Sequence, residues 1–374
     1  MEFELETVTP MFMGGADPRQ SELRAPSIKG AMRFWWRAMN GHLALDELRR
    51  QEAEIFGGSG ENQARRSSVS LRITPAVIPA QDKKENLWDE LDKISKGKSY
   101  KSPSPKSDGI FYLLYSGMMP NQEKAYIRTG FPFKLIFRFD KEENLKHAVA
   151  GWWCSVYFGG FGSRARRGGG NLRIISIEDK SNKLKTLLLD FIAKGNTSEE
   201  VANWLKANFT VAKNIVNEGK EILSISDYSN LIGSKFIIAQ TYKETWIESL
   251  NEIGQIFKKF RTGHKSEVYD TAVFGLPILH RNRHITVKGR GKDHNQVFER
   301  RSSPLIFKIL KVDQNQYYWF VLRLEGEFLP KDSVIKAVGT QEPDYKLLDE
   351  FWGKLKNKGK EYSLSEDKEG EIKK

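Results

Sequence analysis

Apolar and polar positions along the chain follow two periods, and each marks a different kind of element. Phe3 to Val8 alternates apolar and acidic side chains, as a half-buried strand does. A loop with Gly14, Gly15 and Pro18 follows, and Pro26-Ser27 then opens a helix with Ser27 as its expected N-cap. This helix runs to about Asn40 and resumes after Gly41 towards Phe56. Val69 to Ile73 alternates again, Lys96 to Asp108 reads as an exposed loop, and Ile110 to Tyr115 and Phe133 to Phe139 are strand-like. Leu145 to Phe158 predicts a helix, which ends in the glycine cluster Gly159 to Gly170, and Leu172 to Ile177 predicts a strand.

Strand, helix, strands, helix, strand is the order of a ferredoxin-like unit. After a helical stretch over 181–225, a second copy follows: strand Phe236 to Gln240, helix Thr245 to Arg261, hairpin Leu305 to Val312 with Tyr317 to Leu324, and helix Tyr345 to Leu355. The pattern shows no last strand for this copy. The expected architecture is α+β: two ferredoxin-like (RRM-like) domains with helical insertions. The N-terminal domain is expected over 1–180, a helical bridge or insertion over 181–230, the C-terminal domain over 231–355, and a charged, disordered tail over 356–374.

Composition narrows the partners. The 374 residues carry a net charge of +12, which favours a polyanion such as nucleic acid or an anionic membrane surface. No apolar run reaches the roughly 18 residues of a membrane span, and MEFELETVTP lacks the features of a signal peptide, so no membrane partner and a cytoplasmic location are expected. Cys154 is the only cysteine, which excludes an internal disulfide and a multi-cysteine zinc site.

Three segments are candidates for RNA contact. In Pro26 to Arg37, Ile28, Met32, Trp35 and Met39 form an apolar stripe, while Lys29, Arg33, Trp36 and Arg37 share an adjoining face suited to a phosphate chain with a base stacked on the indole. In Gly159 to Gly170, Gly159, Gly160, Gly162, Gly168, Gly169 and Gly170 allow close backbone approach, and Arg164, Arg166 and Arg167 add charge with no nearby acid; the loop is expected to be pliable and exposed. In His280 to Lys308, the cations include Arg281, Arg283, Lys288, Arg290, Lys292, Arg300, Arg301 and Lys308, against Asp293 and Glu299 alone. The bland alternatives are a solvated basic face, a linker and a solvated loop.

Enzymatic readings carry less. The G-x-G-x-x-A match at Gly160, Gly162 and Ala165 follows a helix and precedes a strand, the reverse of a dinucleotide site, and no P-loop motif occurs. His280 and His284 fit metal-ligand spacing only on a helix, whereas Pro277 and the β-branched residues after His284 point to an extended segment. No metal or other cofactor is expected. A histidine acting as general base on a 2′-hydroxyl has five candidates, His42, His264, His280, His284 and His294, and the sequence selects none.

Three stretches carry a family resemblance: Leu23 to Ala38, the glycine loop, and Glu299 to Lys308. They resemble the RAMP superfamily of CRISPR-associated RNA-binding proteins, and more closely the first subunit of the type III-B Cmr effector complex. The resemblance covers about residues 1–330. It implies a non-catalytic subunit that helps hold guide RNA and single-stranded target RNA beside neighbouring RAMP subunits. The second half lacks a glycine loop of its own, so its RNA contacts would rest on residues 281 to 308. The basic segments are expected to converge on one interdomain cleft. A metal-independent RNA endonuclease that processes guide RNA and a scaffold without RNA contact remain as alternatives.

Overall fold

The computed structural model describes residues 1–17, 19–59, 64–75, 87, 91, 107–118, 124–180, 182–219, 228–280, 284–291 and 296–365. The first sheet contains β1 (Glu2–Thr7), β2 (Val69–Thr74), β3 (Pro132–Phe139) and β4 (Leu172–Glu178), in the spatial order β2-β3-β1-β4. Every pairing is antiparallel. Helices α1 (Ala25–Met39) and α2 (Leu45–Phe56) lie between β1 and β2, α3 (Asp108–Leu114) lies before β3, and α4 (Glu142–Tyr157) connects β3 to β4. Fourth-first-third-second is the ferredoxin-like strand order. Alternation places Phe3 and Leu5 in the core, and Phe3 and Phe137 both pack against Trp152 of α4.

After α5 (Lys183–Leu187) and α6 (Ser198–Asn217) the topology repeats. It runs β5 (Asn230–Ala239), α7 (Trp246–Gly263), β9 (Leu305–Asp313), β10 (Gln316–Glu325), α8 (Lys346–Lys356) and β13 (Gly359–Ser363), with strand order β13-β5-β10-β9. Thr245 caps α7 by accepting from the Glu248 N–H. A third sheet is inserted: β6 (Ile278–His280), β7 (Ile285–Arg290) and β8 (Val297–Phe298) before β9, with β11 (Val334–Lys336) and β12 (Thr340–Gln341) after β10.

The second sheet is covered on both faces. On one, Phe307 of β9 meets Phe257 of α7 and Phe351 of α8; on the other, Phe320 of β10 stacks on Phe158 at the end of α4, with ring centroids 6.0 Å apart. One apolar cluster therefore runs through both units. Among the described residues no helix is long and apolar enough to cross a membrane.

Three local expectations need correction. Ile110 to Tyr115 is helical: the spacing of Ile110, Leu113 and Leu114 serves a helix whose Gly109 meets Gly254 of α7. A Cβ on Gly109 would lie 2.2 Å from the Asn251 carbonyl oxygen, so only glycine permits this crossing. Ser27 is the third residue of α1, not its cap; Arg24 holds that position and makes no side-chain capping bond. The expected disordered tail contains β13, which pairs with β5 from Gly359↔Ala239 to Ser363↔Lys235 and supplies the missing last strand. As an edge strand with a half-exposed Lys-Glu-Tyr-Ser sequence, it lacks the apolar alternation that marks inner strands. The expected loop Lys96 to Asp108 lies mostly outside the described residues.

Candidate nucleic-acid interface

Helix α1 presents a polar strip of Ser27, Gly30, Arg33 and Arg37 beside Lys29 and the half-buried Phe34, with its apolar stripe turned inward. Glu52 of α2 is 6% exposed, and its Oε1 accepts from Arg33 Nε at 2.5 Å and from Arg37 Nη1 at 2.6 Å. One buried carboxylate thus holds two guanidiniums whose side chains remain 37% and 38% exposed. Each guanidinium keeps further N–H donors in a fixed fork, the geometry that suits phosphate oxygens. Lys29 Nζ donates to Ser67 Oγ at 2.9 Å and to the Val69 carbonyl at 2.7 Å; burial, with Arg33 nearby, lowers its pKa. Gly30 is exposed, and a Cβ there would meet nothing within 4 Å.

Trp36 is not part of this strip. It is 0% exposed, packs against Phe56, and donates its indole N–H to His147 Nδ1 at 3.4 Å. Four residues beyond Met32 and three before Met39, it lies on the buried side of the helix, so no base can stack on it. Burial lowers His147 to about 4, leaving a neutral ring to accept that bond.

The glycine loop is folded against its neighbours, and within it only Gly162 and Ser163 are exposed. Gly162, Gly168 and Gly170 have positive φ, and a Cβ on Gly170 would lie 1.9 Å from the Phe161 carbonyl oxygen. Arg164 donates to the Leu113 carbonyl, Arg166 Nη1 to the Ser303 carbonyl at 2.8 Å, and Arg167 Nη2 to the Phe274 carbonyl at 2.6 Å. Arg166 also lies over Phe34, and Arg167 lies over Phe257 and Phe307. Burial pulls the guanidinium pKa down to about 10 at Arg166 and about 9 at Arg167, both still cationic at neutral pH. The loop also caps the free edge of the second sheet: Phe307 N–H donates to the Arg166 carbonyl and Ile309 N–H to Asn171 Oδ1. These arginines face inward because carbonyls and ring faces of both units engage them without any acid, an arrangement that charge counting does not reveal; Arg167 Nη1 alone is buried without a partner.

The third segment is divided. Arg281, Arg283 and Lys292 lie outside the described residues. Arg301 donates to the Phe328 and Glu327 carbonyls and is partly buried, whereas Arg300 is exposed. Lys308 is 1% exposed and its Nζ donates to the Gly159 carbonyl at 2.9 Å, with burial lowering its pKa to about 7. The three segments do meet, but through Phe34, Arg166 and the Ser303 carbonyl, a contact that joins the units.

The open face of the first sheet does not form an RRM-type platform. Such platforms stack bases on sheet aromatics, whereas β1 directs Glu2, Glu4 and Glu6 outward, paired with Lys134, Arg173 and Lys311. Among the described residues no cluster of His, Cys, Asp or Glu could hold a metal ion.

With this geometry in place, comparison with known proteins assigns the first unit. Residues 4–173 match the RAMP superfamily. That span is the first ferredoxin-like unit. The chain is 27% identical over 339 residues to the CRISPR system Cmr subunit Cmr1-1 of Pyrococcus furiosus, covering 88% of this chain and 89% of the relative. It is 29% identical over 194 residues to Cmr1-2 of the same organism, covering 46% of this chain and 93% of that one. The two units superpose on the crystal structure of apo Cmr1 from Pyrococcus furiosus with a TM-score of 0.64 at 23% identity, covering 97% and 98% of the two chains. A chain of the type III-B Cmr-beta complex bound to cognate target RNA and AMPPnP gives 0.58 at 17% identity, covering 96% and 98%. At these identities the superpositions establish the fold.

Proposed function

We propose that the chain is a cytoplasmic, non-catalytic subunit of a type III-B Cmr effector complex. In this reading it contacts guide RNA and single-stranded target RNA, sits beside neighbouring RAMP subunits, and holds the RNA backbone along α1. The observation that carries the reading is the Glu52-clamped pair Arg33 and Arg37 on an exposed strip beside Gly30. Glycine inside a helix costs about 0.5–1 kcal/mol relative to alanine, and among the described residues nothing requires it at position 30. A ligand that packs directly on the helix backbone accounts for it. Arg33 and Arg37 then meet phosphates, contacts that position a strand without reading its sequence. Kinship with a subunit of a Cmr system supports the assembly part of the reading.

The test is a binding titration of the full chain with labelled unstructured RNA in chelator. A shifted, uncut RNA is expected. Changing Arg33, Arg37 and Glu52 together to glutamine removes all three charges without leaving a buried ion unpaired, and should weaken binding at least tenfold with the fold retained. Cleavage of the RNA would favour an endonuclease. Absence of both shift and cleavage would favour a scaffold.

A further inference from the structure

The inserted third sheet buries one face and leaves the other open. Val287 and Ile335 are 0% exposed, and Gly289 packs against Leu329 and Phe298. By the alternation of a pleated strand, Thr286, Lys288 and Arg290 of β7 and Val334 and Lys336 of β11 point the other way. On that face Lys288 and Lys336 are direct cross-strand partners, with Arg290 two residues along from Lys288. Like charges placed opposite one another destabilise a sheet. The acid nearest Lys288 is Glu299, itself 77% exposed and 3.7 Å away, while Lys336 has no ion partner among the described residues. Thr286 and Thr340 add hydroxyls on either side of this pair, and Leu279, cross-strand from Thr286, is 63% exposed.

The geometry points to this face as a second phosphate-binding track for single-stranded RNA, separate from α1. An anion lying between Lys288 and Lys336 removes their repulsion, and Arg290 on the same face adds a third cation for the same strand. The described outward positions carry hydroxyls, aliphatic side chains and cations but no aromatic ring, so bases have nothing to stack on and the contact is to the backbone. That absence also weighs against a protein partner, because interface cores are enriched in Tyr, Trp, Phe and Met. The inference rests on the RNA-binding reading above and adds to it a place and a class of contact.

The experiment titrates the full chain with labelled unstructured RNA over a range of salt, comparing wild type, Lys288→Ala with Lys336→Ala, and Gly30→Glu, which places an anion on the open strip of α1 where a side chain has room. Loss of two phosphate contacts lowers the salt slope by about 1.4 and the affinity roughly tenfold at 0.15 M salt. The melting temperature should stay the same or rise as the repulsion is removed. If the double variant keeps wild-type affinity and slope while Gly30→Glu loses binding, the track is overturned and the α1 reading stands. If it keeps RNA affinity but drops out of the reconstituted complex, the face belongs to an acidic protein neighbour and the inference is also overturned. If wild type binds no RNA, both readings fall.

Discussion

Arg167 lays its guanidinium carbon 5.3 Å from the ring centroid of Phe307, and the two residues form a parallel backbone bridge between the two ferredoxin-like units. The contact ties the glycine loop of one unit to the edge strand of the other.

Stability should therefore depend on that loop. Arg167→Ala removes a charge-assisted bond to the Phe274 carbonyl and two cation–π contacts, together about 3 kcal/mol. Thermal melting of Arg167→Ala should show a drop of several degrees. An unchanged melting temperature would make the arginine a surface contact after all. Combining it with Arg164→Ala and Arg166→Ala should leave too little folded chain for a binding measurement.

Lys308 provides a pH test. Its folded pKa of about 7 lies below the ordinary lysine value of 10.5, so between those limits the unfolded chain holds more protons and this residue makes stability rise with pH. The contribution is at most about 1.4 kcal/mol per pH unit and levels off below the folded pKa. Lys308→Met should gain on wild type as pH falls from 10 to 7, and the difference should be constant below that. Denaturant melts at several pH values measure it, and parallel curves for the two proteins would show that Lys308 keeps an ordinary pKa.

Gly30→Ala should separate stability from binding. With open space at the Cβ position, it should stabilise α1 by about 0.5–1 kcal/mol. If RNA packs on the helix backbone, the same methyl group should weaken binding several-fold. A variant both more stable and equally tight would remove Gly30 from the interface.

Trp36→Phe should cost stability and spare RNA. The ring lies wholly in the core beside Phe56, and shrinking it leaves a cavity worth about 1–3 kcal/mol. Calorimetry should record that loss, while RNA affinity measured well below the melting temperature stays within twofold. A selective loss of affinity would restore the indole as a contact.

Elements with strong periodicity were legible in the sequence: β1, α1, β3, α4, and the β9–β10 hairpin whose buried faces require apolar residues. The edge strand β13 was not, because pairing on one side only lets Lys360 and Glu361 remain accessible. For the site, charge showed where cations cluster but not what they face. Arg33 and Arg37 keep solvent access because Glu52 engages them from beneath, whereas Arg164, Arg166 and Arg167 spend their donors on carbonyls 51 to 137 residues away. The Thr245–Glu248 cap follows from four consecutive residues. The Lys288–Lys336 pair joins positions 48 apart on strands too short for periodicity to mark.

The position of β13 also sets an order of events at the ribosome. The strand that completes the second sheet follows the other three in the chain, so β5 must wait with one edge open until Gly359 to Ser363 emerge. All four strands of the first sheet have been made long before, yet Arg166 and Arg167 of its glycine loop find their carbonyl partners only when Ser303 and Phe274 appear. A message cut short after α8 would therefore yield a product with the backbone of Lys235 to Ala239 exposed for pairing with another chain.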